Sequence, residues 1–472
     1  MRRSMKRVNQ FTFPIKKGVL SLINEKFEGK NVLNYKGNNL KKEYVVYLIY
    51  YIVKMTDAKE EEAVIEVVNL NSKILRKNFV DRYKPYLSYL EEINLIWLPR
   101  YYSVGNHSNM YAFTDKYYEL ERGLINFKID DVILLKKVNS GIKEHDKEQL
   151  KKRRHCEKTR GHLVKSFNSN LEMDIEGATN EVSTFNARKY GVNIRRVHEY
   201  EAKKWRYQIN PLTDNRLHTN ITWTNNKLLK YITYKNKKLS EVDIKTSQPL
   251  LMFVILKNIF DDSMNNESTI FLEKKLGVEL LGKIKSNGID FEELDNFGDV
   301  ILNKDLYNYL VGRIEIKKNS NNRYYYTSYE KKKENDEAEE KYEYFDSKRD
   351  LIKKCVMRAL YRGKGDEITL IKNQFKSIFN VADLINKHKK ISESKSNLSH
   401  VLQSFEAHVL LDLIAKDISV KYKDIPLFSK HDSLITYKSK IDEVRNFTQE
   451  QFKIYTGIDA TNSFVVKNDS FS

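Results

Sequence analysis

The first clear block of apolar positions, Tyr44 to Val53, lies in a stretch of helix-compatible length over residues 43 to 55. Asn71 or Ser72 can cap a second helix over Ser72 to Phe79, and a third is expected from about Tyr83 to Asn94. Ile96-Trp97-Leu98 and Met110-Tyr111-Ala112-Phe113-Thr114 then read as two strands around a turn at Ser103 to Ser108. In the second half, Lys238 to Ile244 reads as a strand ending near Asp243, followed by a helix through Pro249 to Leu256. Arg349 to Leu360 has helix-forming character. Leu427 to Tyr437 reads as a hairpin whose turn carries His431 and Asp432.

These elements predict an α+β protein. Helix, helix, helix and hairpin in that order resemble a winged helix, a duplex-binding arrangement of the helix-turn-helix group, over residues 1 to 140. The alternative is an α+β domain that only packs against its neighbour. Residues 141 to 204 read as a charged linker or helical connection, because Lys143 to Lys165 is dense in charge and includes Lys151-Lys152-Arg153-Arg154-His155. A last domain is expected over 205 to 472, with an insertion around 262 to 345. That insertion ends in the mixed-charge run Lys331 to Glu340, which has no apolar face.

Composition narrows the function. A chain of 472 residues with 40% hydrophobic and 12% aromatic content is a folded protein with room for two or three domains. Its 83 Lys plus Arg against 64 Asp plus Glu give a net charge of +19, which makes nucleic acid the leading partner. Cys156 and Cys355, its two cysteines, supply neither a disulfide framework nor a zinc site, and a reducing cytoplasm fits. His155, His162 and His198 lack metal-ligand spacing. The longest apolar run is too short to cross a bilayer, so no membrane partner is expected, and the start Met1-Arg2-Arg3 lacks the core of a signal peptide. The absence of a Gly-x4-Gly-Lys-[Ser/Thr] loop argues against an ATP-driven helicase.

Three segments carry candidate chemistry. If the strand ending near Asp243 and the hairpin bearing Asp432 share one sheet, the two carboxylates face each other and can bridge two magnesium ions. In-line nucleotidyl transfer uses that geometry, one ion at the attacking 3'-hydroxyl and one at the departing pyrophosphate. Arg349, Lys353 and Tyr361 fall along one helix side at i, i+4 and i+12. The two cations suit a triphosphate, and the ring suits stacking beside a nascent base pair. Taken singly, each aspartate is a turn or cap residue and the helix is a basic surface helix.

The ordered set resembles the palm and fingers of family A DNA polymerases and of their relatives, the single-subunit phage and mitochondrial RNA polymerases, over roughly residues 205 to 465. The resemblance implies an antiparallel palm sheet with helices, two Mg2+ ions, a DNA template with primer, and nucleoside triphosphates as substrate. By it, Asp243 and Asp432 are metal ligands, Lys353 is the phosphate-binding lysine, and Tyr361 gates the nucleotide pocket beside Arg349 and His431. Arg216, in Asn215-Arg216-Leu217-His218-Thr219, resembles an arginine that holds the primer-template minor groove, and Gln403 resembles the minor-groove glutamine of the DNA branch.

His431-Asp432-Ser433 is closer to the RNA polymerase branch. Gln248 stands where DNA polymerases place a bulky glutamate against the sugar and RNA polymerases a glycine, so the balance favours deoxyribonucleotides. Arg362 between Tyr361 and Gly363, Ser433 in place of a glutamate, and the short span from Lys353 to Asp432 mark a compact, divergent relative. Asp174-Ile175-Glu176 has the form that opens a proofreading exonuclease, but too few residues follow it before Arg216 to build that domain. The expected function is a compact DNA polymerase without proofreading, serving replication of a mobile element. The alternatives are a phage-type RNA polymerase or primase, and a non-catalytic DNA-binding replication initiator.

Overall fold

The computed structural model describes residues 11–55, 67–100, 109–316, 323–330, 339–361, 365–388, 391, 397–467 and 471. The chain is α+β, and among the described residues every pair of strands is antiparallel. It divides into two compact units, one of Met1–Lys151 with Glu176–His198, the other of Lys152–Ile175 with Glu199–Ser472.

In the first unit, helix Lys42–Met55 buries residues on nearly every side, as a helix in the middle of a core must. Phe13 and Tyr50 pack against each other at 4.3 Å, part of an aromatic cluster that also holds Phe11, Tyr47 and Phe127. Helix Ser72–Asn78 begins where Asn71 Oδ1 accepts the Lys73 N–H at 2.8 Å. Helix Lys84–Glu92 carries Pro85 in its first turn and buries Tyr86, Leu87, Tyr89 and Leu90. The expected hairpin strands are Ile96–Arg100 and Met110–Phe113, joined by a third strand that the sequence did not predict, Val67–Asn69. The turn assigned to Ser103–Ser108 lies outside the described residues.

The second unit is built on a six-stranded sheet whose central strand is Lys237–Ile244. On one edge it pairs with Ser433–Tyr437, the inner strand of the hairpin whose other strand is Phe428–Lys430. On its other edge, Ile232–Tyr234 pairs the start and Phe464–Lys467 the end, and Leu171–Met173 extends the sheet beyond Ile232–Tyr234. The central strand leads through Thr246, in the left-handed region at φ 53°, into helix Ser247–Phe260. That helix is enclosed on nearly all sides. One neighbour is helix Phe291–Asn303, where a Cβ on Gly298 would stand 2.4 Å from the Phe253 ring, so only glycine permits the approach.

Helix Lys348–Leu360 starts at Ser347, whose hydroxyl accepts the Asp350 N–H. Behind it, hairpin Tyr324–Glu330 with Glu339–Phe345 buries Tyr326 beneath Arg358. The rest of the expected mixed-charge run, residues 331–338, lies outside the described residues. Helix Asn397–Ala407 passes without a break through a π-helical stretch, His408–Ile414, into helix Ala415–Lys421. The charge-dense run Lys143–Lys165 falls largely in helix Val132–Val164, which takes the chain from the first unit into the second. One of its cations, Arg160, is buried at a non-helical residue of that helix. Among the described residues no helix is long and apolar enough to cross a membrane.

Candidate active site

Strand alternation sets the first half of the site. Glu241 and Asp243 stand two residues apart on the central strand and so share a face. Opposite Asp243 is Ser433 on one edge, with Asp432 next to it in the hairpin turn. Opposite Glu241 on the other edge is Lys467 of the closing strand Phe464–Lys467. His431 makes the turn possible by adopting φ 52°, and the Ser433 hydroxyl donates to the Lys430 carbonyl at 2.7 Å.

Charge is concentrated here. The Asp243 carboxyl is held above its ordinary range, first by burial and then by the charge of Asp432, while Lys467 pulls it down. Burial likewise raises Glu241, opposed by the charges of Lys430 and Lys467 and aided to a smaller extent by Asp243 and Asp432. Lys467 Nζ lies 2.5 Å from Asp243 Oδ2 and 3.8 Å from Glu241 Oε1. Glu241 Oε2 is buried without a hydrogen-bond partner. Buried carboxylates that raise one another, one with an orphaned oxygen, fit a hard cation with oxygen ligands. Among the described residues no group of three or more His, Cys, Asp or Glu side chains is placed to hold a metal ion.

The second half of the site is a hydrogen-bonded chain. The Tyr361 hydroxyl donates to Gln248 Oε1 at 2.6 Å, and Gln248 Nε2 donates to Glu406 Oε2 at 3.3 Å. Glu406 in turn receives Arg216 Nε and Nη2, each at 2.8 Å, in a two-pronged pair. The residues come from four separate places in the sequence: the strand Leu217–Thr219 and its approach, the first turn of Ser247–Phe260, the end of Lys348–Leu360, and helix Asn397–Ala407. Burial pushes the Tyr361 phenol well above its ordinary value. The Glu406 carboxyl is fully buried and pushed up to about 8, with Arg216 opposing and Asp432 and Asp243 adding to the shift. His431 is held down at about 4, chiefly by desolvation and next by the Arg216 charge, so its imidazole is neutral near pH 7 although the ring has an exposed side.

Arg349 donates from Nη2 to Asp305 Oδ2 at 2.7 Å and stacks over the Tyr307 ring at 5.3 Å. Lys353, one turn later, is exposed. Gln403 is half-buried, three residues before Glu406 on the same helix. Arg362 and Gly363 lie outside the described residues.

The structure thus gathers Asp243 with Asp432, and Gln248 with Tyr361 and Arg216, within one unit. It adds three residues the sequence reading missed. Glu241 had a signal, the two-residue strand period from Asp243. Glu406 and Lys467 had none, since their partners are more than 150 positions away. Compared with protein-family models and with curated proteins, the chain matches none.

Proposed function

We propose that the protein is a template-dependent nucleotidyltransferase, a compact DNA polymerase that extends a primer without proofreading. One observation carries the reading: the antiparallel register that sets Asp243 across from Ser433 and so beside Asp432, on a face that also holds buried, mutually repelling carboxylate charge. Magnesium held there would assist the attacking hydroxyl and take charge from the departing pyrophosphate. Asp243 and Asp432 serve as its ligands rather than as bases. Lys353 is free to meet phosphate as a point charge, and Arg349 joins it by exchanging Asp305 for the triphosphate. Gln248, fixed by Tyr361 and Glu406, forms the polar floor beneath the sugar and crowds a 2'-hydroxyl. In this reading Arg216 and Gln403 are the contacts to the primer-template duplex, Arg216 by releasing Glu406.

In the first unit, a three-stranded sheet with helices Ser72–Asn78 and Lys84–Glu92 supports a winged-helix-like reading, with duplex DNA as the partner. The sequence His431-Asp432-Ser433 favours a second reading, ribonucleotide synthesis.

Primer extension with magnesium, run with deoxyribonucleotides and ribonucleotides in parallel, tests the proposal. Asp243→Ala is expected to lose activity on the order of a thousandfold, about 4 kcal/mol of transition-state stabilisation, while still binding DNA. Unprimed or ribonucleotide synthesis would favour the second reading. No synthesis by the unaltered protein under either condition would overturn both and leave a DNA-binding initiator.

A further inference from the structure

Lys467 is odd for a residue on a closing strand. Its ammonium reaches back across the sheet to the two carboxylates of the central strand, 2.5 Å from Asp243 and 3.8 Å from Glu241. The carboxylates are enclosed, with side-chain exposures of 13% and 6%, whereas Lys467 keeps 47% of its own surface in water. Two ionised carboxylates this close and this buried need a positive charge between them. Lysine supplies one from a long flexible stem that can swing into solvent, where an ammonium is strongly hydrated. An oxygen of Glu241 still has no partner, although Lys430, in the neighbouring hairpin, adds a second positive charge that acts on both carboxylates.

We infer that Lys467 is a tethered counter-cation occupying the place of a divalent ion, and that Glu241 joins Asp243 and Asp432 as a third carboxylate ligand when the ion displaces it. The inference rests on the nucleotidyltransferase reading. Metal-site roles then fall to two residues that the sequence motifs do not include, and binding has to bring the three carboxylates together, since they form no ligand set without the ion. If Lys467 only fastened the last strand, its removal would weaken the fold and leave ion affinity unchanged.

Mn2+ binding to the full-length chain, read as loss of the free-ion electron paramagnetic resonance signal without nucleotide, separates these outcomes. Lys467→Met is expected to bind Mn2+ more tightly by on the order of tenfold, as removal of one competing charge allows. Glu241→Gln is expected to bind several-fold more weakly. Lys467→Gln provides the same comparison if the methionine variant does not fold. Wild-type binding that is abolished by Asp243→Asn but not tightened by either lysine variant, or not weakened by Glu241→Gln, overturns the inference and leaves the polymerase reading standing. Wild-type binding that is absent, or indifferent to Asp243→Asn, overturns the inference and removes the metal site on which that reading depends.

Discussion

Glu406 shows two opposed forces at a single residue. The two-pronged contact with Arg216 favours the carboxylate, while full burial and the nearby Asp432 and Asp243 charges favour the acid. Burial prevails in direction, holding the group at about 8 in the folded chain against an ordinary 4.5. If burial outweighs Arg216 to that extent, the folded protein keeps a proton that the unfolded chain gives up between those values. The stability this group contributes is full below pH 4.5 and is lost as pH rises toward 8, with a slope of at most about 1.4 kcal/mol per pH unit. Urea unfolding at pH 5, 6, 7 and 8 checks it: wild type should lose stability relative to Glu406→Gln across that window. Parallel curves for the two proteins would mean that Arg216 holds the group ionised throughout.

At the scale of elements, the buried Arg160 ties three segments together. Its Nε and Nη2 donate to Asp412 at 2.7 and 3.1 Å, and its Nη1 donates to the Asn215 carbonyl at 2.6 Å. Asp412 sits in the π-helical stretch, and Asn215, at φ 54°, immediately precedes Arg216. Arg160→Met would strand a partly buried carboxylate and a turn carbonyl, a loss of about 3 kcal/mol by chemical denaturation. Arg160→Lys, which cannot reach all three acceptors, should recover only part of it.

The same element shows where sequence reading stops. Strong local patterns were legible: the apolar run inside Lys42–Met55, the Asn71 cap, the strand holding Asp243, and the hairpin turn with His431 and Asp432 all have short-range signals. Arg160 lies within the charge-dense run expected to link the domains, and nothing within a helical turn of it announces a partner 252 residues away. Strand Val67–Asn69 is only three residues long and owes its pairing to Met110–Phe113, so no alternation marks it. The Asp305 partner of Arg349 likewise comes from a separate helix start.

Across the whole molecule, an excess of 19 positive charges makes counterion release the expected source of the DNA affinity that the proposed function requires. Each neutralised phosphate lowers the slope of log affinity against log salt by about 0.9, so six contacts would cost roughly a thousandfold between 50 and 200 mM salt. In the first unit, Lys73 and Arg76 are exposed on helix Ser72–Asn78, where a winged-helix-like reading puts phosphate contacts. Replacing both with alanine should make the duplex-binding slope shallower by about 2 while leaving folding unchanged, as surface substitutions usually do. Asp243→Ala should leave the slope as it is, since the proposed function assigns that carboxylate to the reaction rather than to the phosphate backbone. Fluorescence anisotropy with a labelled duplex over a salt series measures both. A flat response in the wild-type protein would show that its charge excess does not serve DNA binding. An unchanged slope in the double variant would move the phosphate contacts away from Lys73 and Arg76.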